Sequence, residues 1–253
     1  MAGANRKIYF ASDLHLGAPD ETTSAARERR FIRWLREIQP DAGALYILGD
    51  LFDFWHDYDT VVPKGFIRVQ GMLAQLADAG TELHLFTGNH DLWMYGYFEK
   101  ELGAQVHRQP IQKILYEKKF YIGHGDGLGP GDHGYKFIKS VFTNPLCRWL
   151  FKWLHPDLGV KLARYLSYKS RFADPAVKAH EEKFLGEENE WLVQFCREEL
   201  KKNHYDYFIF GHRHLPLDIP LNPTSRYINT GDWLTHCTYA VYDGARVTLR
   251  HFT

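Results

Sequence analysis

Five apolar stretches of this 253-residue chain each run out into a short cluster of Gly, Asp, Asn and His, and nothing else in the sequence restricts the fold as tightly. Residues 7–12 read as a strand leading into Asp13-Leu14-His15, and residues 44–48 end in Gly49-Asp50. Residues 82–86 end in Gly88-Asn89-His90-Asp91, residues 119–122 in Gly123-His124-Gly125-Asp126, and residues 207–210 in Gly211-His212-Arg213-His214. Helical periodicity covers residues 23–38, where Phe31, Ile32, Trp34, Leu35 and Ile38 share one side, then residues 65–79 and a short stretch around 95–102. Residues 111–116 and 119–122 form a predicted hairpin, and further strands are expected at 226–229, 238–242 and 246–251. Residues from about 130 to 203 read as helical throughout. Strand–helix alternation before that block and strands after it predict an α/β sandwich of two sheets, a single domain over 1–253 carrying a helical insertion at about 130–203.

Ligands of α/β sheets bind beyond the carboxyl ends of the strands, so these clusters are placed to converge. Together they offer Asp13, His15, Asp50, Asn89, His124, His212 and His214, enough nitrogen and oxygen donors for two divalent ions of the Mn, Fe or Zn kind. The i, i+2 pairs Asp13/His15 and His212/His214 keep both side chains on one face of an extended segment. Asp50, with two carboxylate oxygens, is suited to bridge two ions. Any one pair alone is a common accident or a turn; five in a row, each after an apolar strand, is not.

The order D-x-H, G-D-x-x-D, G-N-H-D, G-H-G-D, G-H-x-H resembles the five-block signature of the calcineurin-like metallophosphoesterases, and the blocks span nearly the whole chain. The resemblance implies a four-layer α/β/β/α fold with one ion held by Asp13, His15, Asp50 and His214, and a second by Asp50, Asn89, His124 and His212. It further implies hydrolysis at phosphorus by a metal-activated water, with Mn²⁺ the expected ion. Asp53 and Asp91 either orient histidine ligands and the local turns or serve only as turn and helix-cap residues. His90, with Asn89, is the candidate catalytic residue: it donates a proton to the leaving group or stabilises phosphate charge, the alternative being a structural histidine of the tight turn.

Charge is distributed unevenly. The chain is formally neutral, with 31 Lys+Arg and 31 Asp+Glu. Residues 135–172 hold eight basic residues against the single acid Asp157, a net +7, so the remainder carries −7. The same stretch is rich in aromatics. Leu146, Trp149, Leu150, Trp153 and Leu154 follow helical spacing, with Arg148 and Lys152 on another face. Such a helix suits a membrane surface or a lipid-binding lid; the alternative is a stripe that packs on the core while the cations face water. Stacking on nucleic acid is disfavoured by the acidic remainder.

The blocks around Phe10–Leu16, Gly49–Trp55 and His124–Asp126, and the run Gly131-Asp132-His133-Gly134-Tyr135-Lys136-Phe137, are similar to those of the UDP-2,3-diacylglucosamine hydrolases of lipid A synthesis. That resemblance implies cleavage of a pyrophosphate into UMP and 2,3-diacylglucosamine 1-phosphate, with peripheral contact at the cytoplasmic face of a bacterial inner membrane. It implies substrate contacts from Asn89, His90, Asp132, Tyr135, Lys169, Ser170, Arg171 and His212, and an acyl groove of Phe137, Val141, Phe142, Trp149 and Leu150. The best-known branch has Arg where His90 stands; this chain resembles a second branch that keeps His. A soluble phosphoesterase of nucleotides, phosphodiesters or phosphoproteins is the alternative, and a noncatalytic scaffold is disfavoured because all seven donors are retained. No nucleic-acid partner and no obligate protein partner are expected. Residues 1–7 are polar and lack the apolar core of a signal peptide, no 18-residue apolar run is present, and Cys147, Cys196 and Cys237 are expected as reduced thiols in a cytoplasmic protein.

Overall fold

Two sheets face each other across a layer of large apolar side chains. A computed structural model describes residues 6–128, 139–172, 183–184 and 186–253. The first sheet has the order β11-β10-β1-β2-β3-β4 and the second β5-β6-β7-β9-β8. The strands are β1 (Lys7–Ala11), β2 (Ala42–Ile47), β3 (Glu82–Phe86), β4 (Gln105–His107), β5 (Ile111–Leu115), β6 (Lys118–Ile122), β7 (Tyr207–Phe210), β8 (Pro216–Asn222), β9 (Ser225–Thr230), β10 (Thr238–Tyr242) and β11 (Val247–His251). Strands β1 to β4 pair in parallel, as do β6, β7 and β9.

Alternate residues of the strands point inward and outward. Phe10, Tyr46, Phe86, Phe120, Ile122, Ile209, Ile228 and Tyr242 fill the layer between the sheets. The outer face of the first sheet is covered by α1 (Glu21–Ile38), α2 (Ile67–Asp78) and α3 (Tyr97–Leu102), through Phe31, Trp34, Leu35, Leu73, Leu76 and Phe98. Asp20 starts α1 by accepting a hydrogen bond from the Thr23 amide at 2.9 Å. The outer face of the second sheet is covered by α6 (Trp191–Leu200), through Leu192, Val193 and Cys196 against Phe208, Phe210 and Tyr227. The layers are therefore α/β/β/α, as expected from the sequence.

Two strands are additional to those expected. β8 carries Pro216 and Pro220, and its place at the sheet edge explains why neither proline breaks the ladder. β4 is a three-residue edge strand, too short to show a period. The expected unbroken helical block divides into α4 (Pro145–Lys152) and α5 (Pro156–Phe172), and residues 186–190 before α6 are turn and coil. Asn144 caps α4 through the Leu146 amide, with Pro145 in its first turn. Among the described residues no helix is long and apolar enough to cross a membrane.

Candidate metal centre

Parallel strands β1, β2 and β3 of one sheet and β6 and β7 of the other all end at the same edge of the sandwich, which brings the five clusters together. Asp13 Oδ1 lies 3.3 Å from His214 Nε2, and His15 Nε2 lies 3.3 Å from His214 Nε2 and 3.6 Å from Asp50 Oδ2. Beside this first group, Asp50 Oδ2 is 3.5 Å from His124 Nε2. Asn89 Oδ1 sits 3.1 Å from His124 Nε2 and 3.0 Å from His212 Nδ1. Asp50 is thus common to two adjoining sets, Asp13/His15/His214 and Asn89/His124/His212.

The donor set fits divalent ions. Ligand atoms of Asp13, His15 and His214 lie within 4.8 Å of one another, as do those of Asp13, Asp50 and His124. Nitrogen and oxygen ligands about 2.0–2.2 Å from a common ion are separated from each other by roughly 3.0–3.5 Å, the spacing seen here. Asp13, His15, Asp50 and His124 are buried, and among the described residues none donates a hydrogen bond to Asp13 Oδ1, although it is fully enclosed. A buried carboxylate oxygen without a donor is costly unless a cation faces it. A third group, His15, Asp53 and His90, also meets within 4.8 Å.

The backbone holds these donors in a rarely populated conformation. Asp13, His15, Asp50, His212 and His214 all have positive φ, between 45° and 68°. That region is disfavoured for side chains with a Cβ and persists only where surrounding contacts impose it. Some of those contacts are the peptide groups of neighbouring blocks: the amides of Leu14 and His15 both donate to the Asp50 carbonyl. The His212 amide donates to Asp13 Oδ2 at 2.8 Å, and the His90 amide to Asp50 Oδ1 at 2.9 Å. Glycine is required where blocks touch: a Cβ on Gly211 would stand 2.6 Å from Asp13 Oδ2, and one on Gly88 would fall on the Asp50 carboxylate.

Electrostatics separates the two histidines of the second set. Burial opposes a proton on His124, yet the Asp50 carboxylate outweighs it and carries its pKa to about 10. His212, buried and beside charged His124, is pushed down to about 3. Burial and the nearby Asp50 charge push Asp91 up to about 7. For Asp50, burial is outweighed by His124, His90 and His15, which hold its carboxyl well below the usual range.

Asp91 accepts from the amides of Gly88 (2.7 Å), Phe52 (3.2 Å) and Asp50 (3.3 Å), so it ties two of the loops together. Asp53 Oδ1 lies 3.6 Å from His15 Nδ1 and 3.5 Å from His90 Nδ1. His124 Nδ1 bonds the Leu48 carbonyl at 2.7 Å. Asp232, which the sequence reading passed over, lies 3.5 Å from His214 Nδ1 and accepts from the Thr235 and His236 amides. A signal for it exists: Gly231-Asp232 follows strand β9 in the pattern of the other blocks.

Asp132, Tyr135 and Phe137 lie outside the described residues, and Lys169, Ser170 and Arg171 fall in α5 where only the backbone is described. The amphipathic helix α4 docks by Phe151, whose ring packs on Trp93 (4.6 Å) and His56 (5.1 Å). The Leu146/Trp149/Leu150/Trp153 stripe faces away and is 53–75% exposed, so it does not pack on the core. Arg148 and Lys152, on another face as expected, hold the helix to the body: Arg148 lies 3.5 Å over the Tyr95 ring and Lys152 pairs with Asp59.

Comparison with known proteins agrees with this architecture. A protein of Porphyromonas gingivalis named UDP-2,3-diacylglucosamine hydrolase is 41% identical over 252 residues, 96% of either chain. One of the same name from Pseudomonas aeruginosa is 33% identical over 236 residues, 89% of this chain and 90% of the relative. Another from Edwardsiella ictaluri is 32% identical over 209 residues, 82% of this chain and 75% of the relative. The family model described as calcineurin-like phosphoesterase matches residues 6–216, the span that holds all seven converging donors, and this chain belongs to that family.

Proposed function

We propose that this protein hydrolyses the pyrophosphate of UDP-2,3-diacylglucosamine, giving UMP and 2,3-diacylglucosamine 1-phosphate, a step of lipid A synthesis. The observation that carries the chemistry is the pair of adjoining donor sets sharing Asp50; the lipid substrate is supported by the relatives' name and by the exposed aromatic face beside that site. Asp13, His15, Asp50 and His214 would hold one divalent ion, and Asp50, Asn89, His124 and His212 a second, with Mn²⁺ the expected metal. When bound, such ions supply Lewis-acid stabilisation of phosphate oxygens and an activated water.

The chain's own groups do the positioning. Asp53 stands between the His15 and His90 rings and fixes one relative to the other. Asp91 and Asp232 hold, respectively, the loop amides and the His214 ring. The His90 ring, partly exposed at the mouth, stabilises phosphate charge; a departing sugar phosphate needs little protonation, so proton donation is secondary. Asn89 and His212, with Asp132, Tyr135, Lys169, Ser170 and Arg171, complete the substrate contacts.

The insertion at about 130–203 of the single domain acts as the lid for the acyl chains. Its exposed Leu146, Trp149, Leu150 and Trp153 meet the cytoplasmic face of the inner membrane, where each buried CH₂ contributes about 0.8 kcal/mol. Phosphorus NMR of the Mn²⁺-loaded protein with UDP-2,3-diacylglucosamine in ¹⁸O water tests the function. UMP carrying the label is expected; no turnover alongside rapid hydrolysis of a simple phosphodiester would overturn the lipid assignment.

A further inference from the structure

A cavity of about 240 Å³ opens on the His124 side of the metal centre, walled by Phe86, Thr87, His107, Arg108, Gln109 and Lys139. It lies beyond the ends of β3, β4 and β6 and shares His124 with the second donor set. The aromatic ledge of Phe54 and Trp93, on which Phe151 of α4 sits, belongs to the loops after β2 and β3 and contributes nothing to this wall. At 240 Å³ the cavity is smaller than the roughly 300–1,000 Å³ that enclose a whole drug-sized ligand, so it takes one fragment of a larger substrate.

The wall's lysine and arginine are already engaged. Lys139 Nζ pairs with Asp126 at 2.6 Å, and Arg108 donates to the Met94 carbonyl at 2.5 Å and to Glu99 at 3.3 Å. A wall so neutralised suits an uncharged polar group better than a second phosphate. The His107 ring of the wall is set by a chain of hydrogen bonds reaching across the two sheets. The Lys113 ammonium, which can only donate, lies 3.3 Å from His84 Nε2. The ammonium is nearer to this nitrogen than the Glu82 carboxylate, which stands 3.5 Å away, so Nε2 accepts and the His84 hydrogen is on Nδ1, 3.0 Å from His107 Nε2. His107 Nε2 accepts in turn, and the ring nitrogen left to a ligand, Nδ1, carries the hydrogen. Burial lowers the pKa of both histidines, His84 to about 3, so the chain is held in its neutral form.

The geometry points to this cavity as the subsite for the uracil nucleoside of the substrate, with His107 Nδ1–H donating to the C4 carbonyl of the base; this rests on the function proposed above. The phosphate next to the nucleoside then lies against the His124 donor set, and the lipid half extends toward the aromatic ledge. Cytosine places an amino group where uracil has O4, so a fixed donor there disfavours it: two donors would face each other and the base would leave the His107 hydrogen unpaired. Lys113, outside the wall, acts as a positioning residue by fixing the tautomer.

Calorimetric titration of the Mn²⁺-loaded protein with UMP, CMP and inorganic phosphate tests the subsite. UMP is expected to bind at least tenfold tighter than either. His107→Gln, which can turn either a donor or an acceptor to the base, should reduce the UMP:CMP ratio to near one, and Lys113→Met should lower it several-fold, both with phosphate affinity retained. Gln109→Trp, at an exposed wall position, should weaken UMP tenfold or more and leave phosphate affinity in place. Equal binding of UMP and CMP by the wild type, or an unchanged ratio in folded His107→Gln, would overturn the proposal. Turnover of UDP-diacylglucosamine without UMP preference removes the subsite and keeps the enzyme; UMP preference without that turnover keeps the subsite and removes the lipid assignment.

Discussion

The metal-binding body and the helical insertion solve opposite problems. In the body, polar groups that water would otherwise solvate are buried and held by one another: Asp13, His15, Asp50 and His124 are enclosed, and the loops that carry them are tied by amides to neighbouring carboxylates. In the insertion, apolar groups that a core would otherwise cover are left outside, with Trp153 75% and Leu146 63% exposed. The first region is built for chemistry that tolerates little displacement. The second leaves an apolar stripe that no described residue of the chain covers, the face that the proposed function gives to a lipid.

The sharpest way to break this contrast is in the body. Asn89→Ala removes the oxygen placed between His124 and His212 and should lower turnover on the order of 10³-fold or more, beyond the ~10–100-fold typical of a residue behind a ligand. Circular dichroism should be unchanged, and metal content measured on the same sample should fall. Asp232→Asn, one step removed from the metal through His214, is expected in that 10–100-fold range, read as a higher Mn²⁺ concentration for half-activation.

The insertion should respond differently. Trp149→Ser with Trp153→Ser takes away two exposed rings, each worth about 1.5–3 kcal/mol when fully buried. The expected result is a rise of roughly tenfold or more in KM for the acylated substrate, weaker sedimentation with anionic vesicles, and no change for bis(p-nitrophenyl) phosphate. An equal loss on both substrates would mean that the rings serve the body and not a lipid.

The smallest expected effect concerns stability. Burial lowers the pKa of His84 to about 3 and that of His56 to about 4, against about 6.5 in an unfolded chain. Below pH 6.5 the unfolded chain binds the extra protons, so this contribution is intact above 6.5 and is lost as pH falls toward the folded values. The unfolding free energy of the metal-free protein from urea titration should drop between pH 7.5 and 5.5, by about 1 kcal/mol per such histidine, and His84→Phe should flatten part of the fall.

The same contrast governs how much was legible in the chain. The strands and their terminal clusters stood out because burial on both faces enforces apolar runs and the site enforces Gly, Asp and His at their ends. Strands β3, β7 and β10 lie where the pattern put them. The positive φ of Asp13, His15, Asp50, His212 and His214 left no mark, because it is imposed by contacts between blocks far apart in sequence. β8 was hidden by its two prolines, which only an edge position makes acceptable. In the insertion, periodicity located the stripe of α4 but not what it faces: Phe151, off the stripe, makes the contact with the body, and Arg148 and Lys152 are tied to Tyr95 and Asp59. A helix with two apolar faces does not declare which one is covered.

The division of labour, with chemistry in the body and lipid selection in the insertion, is tested most directly by kcat/KM for UDP-2,3-diacylglucosamine against UDP-glucosamine lacking both acyl chains. The acylated compound should be favoured by about 10²-fold or more, since burying even a few CH₂ groups at ~0.8 kcal/mol each gives that factor. Equal values for the two, in protein that binds its metal and cleaves simple diesters, would contradict it.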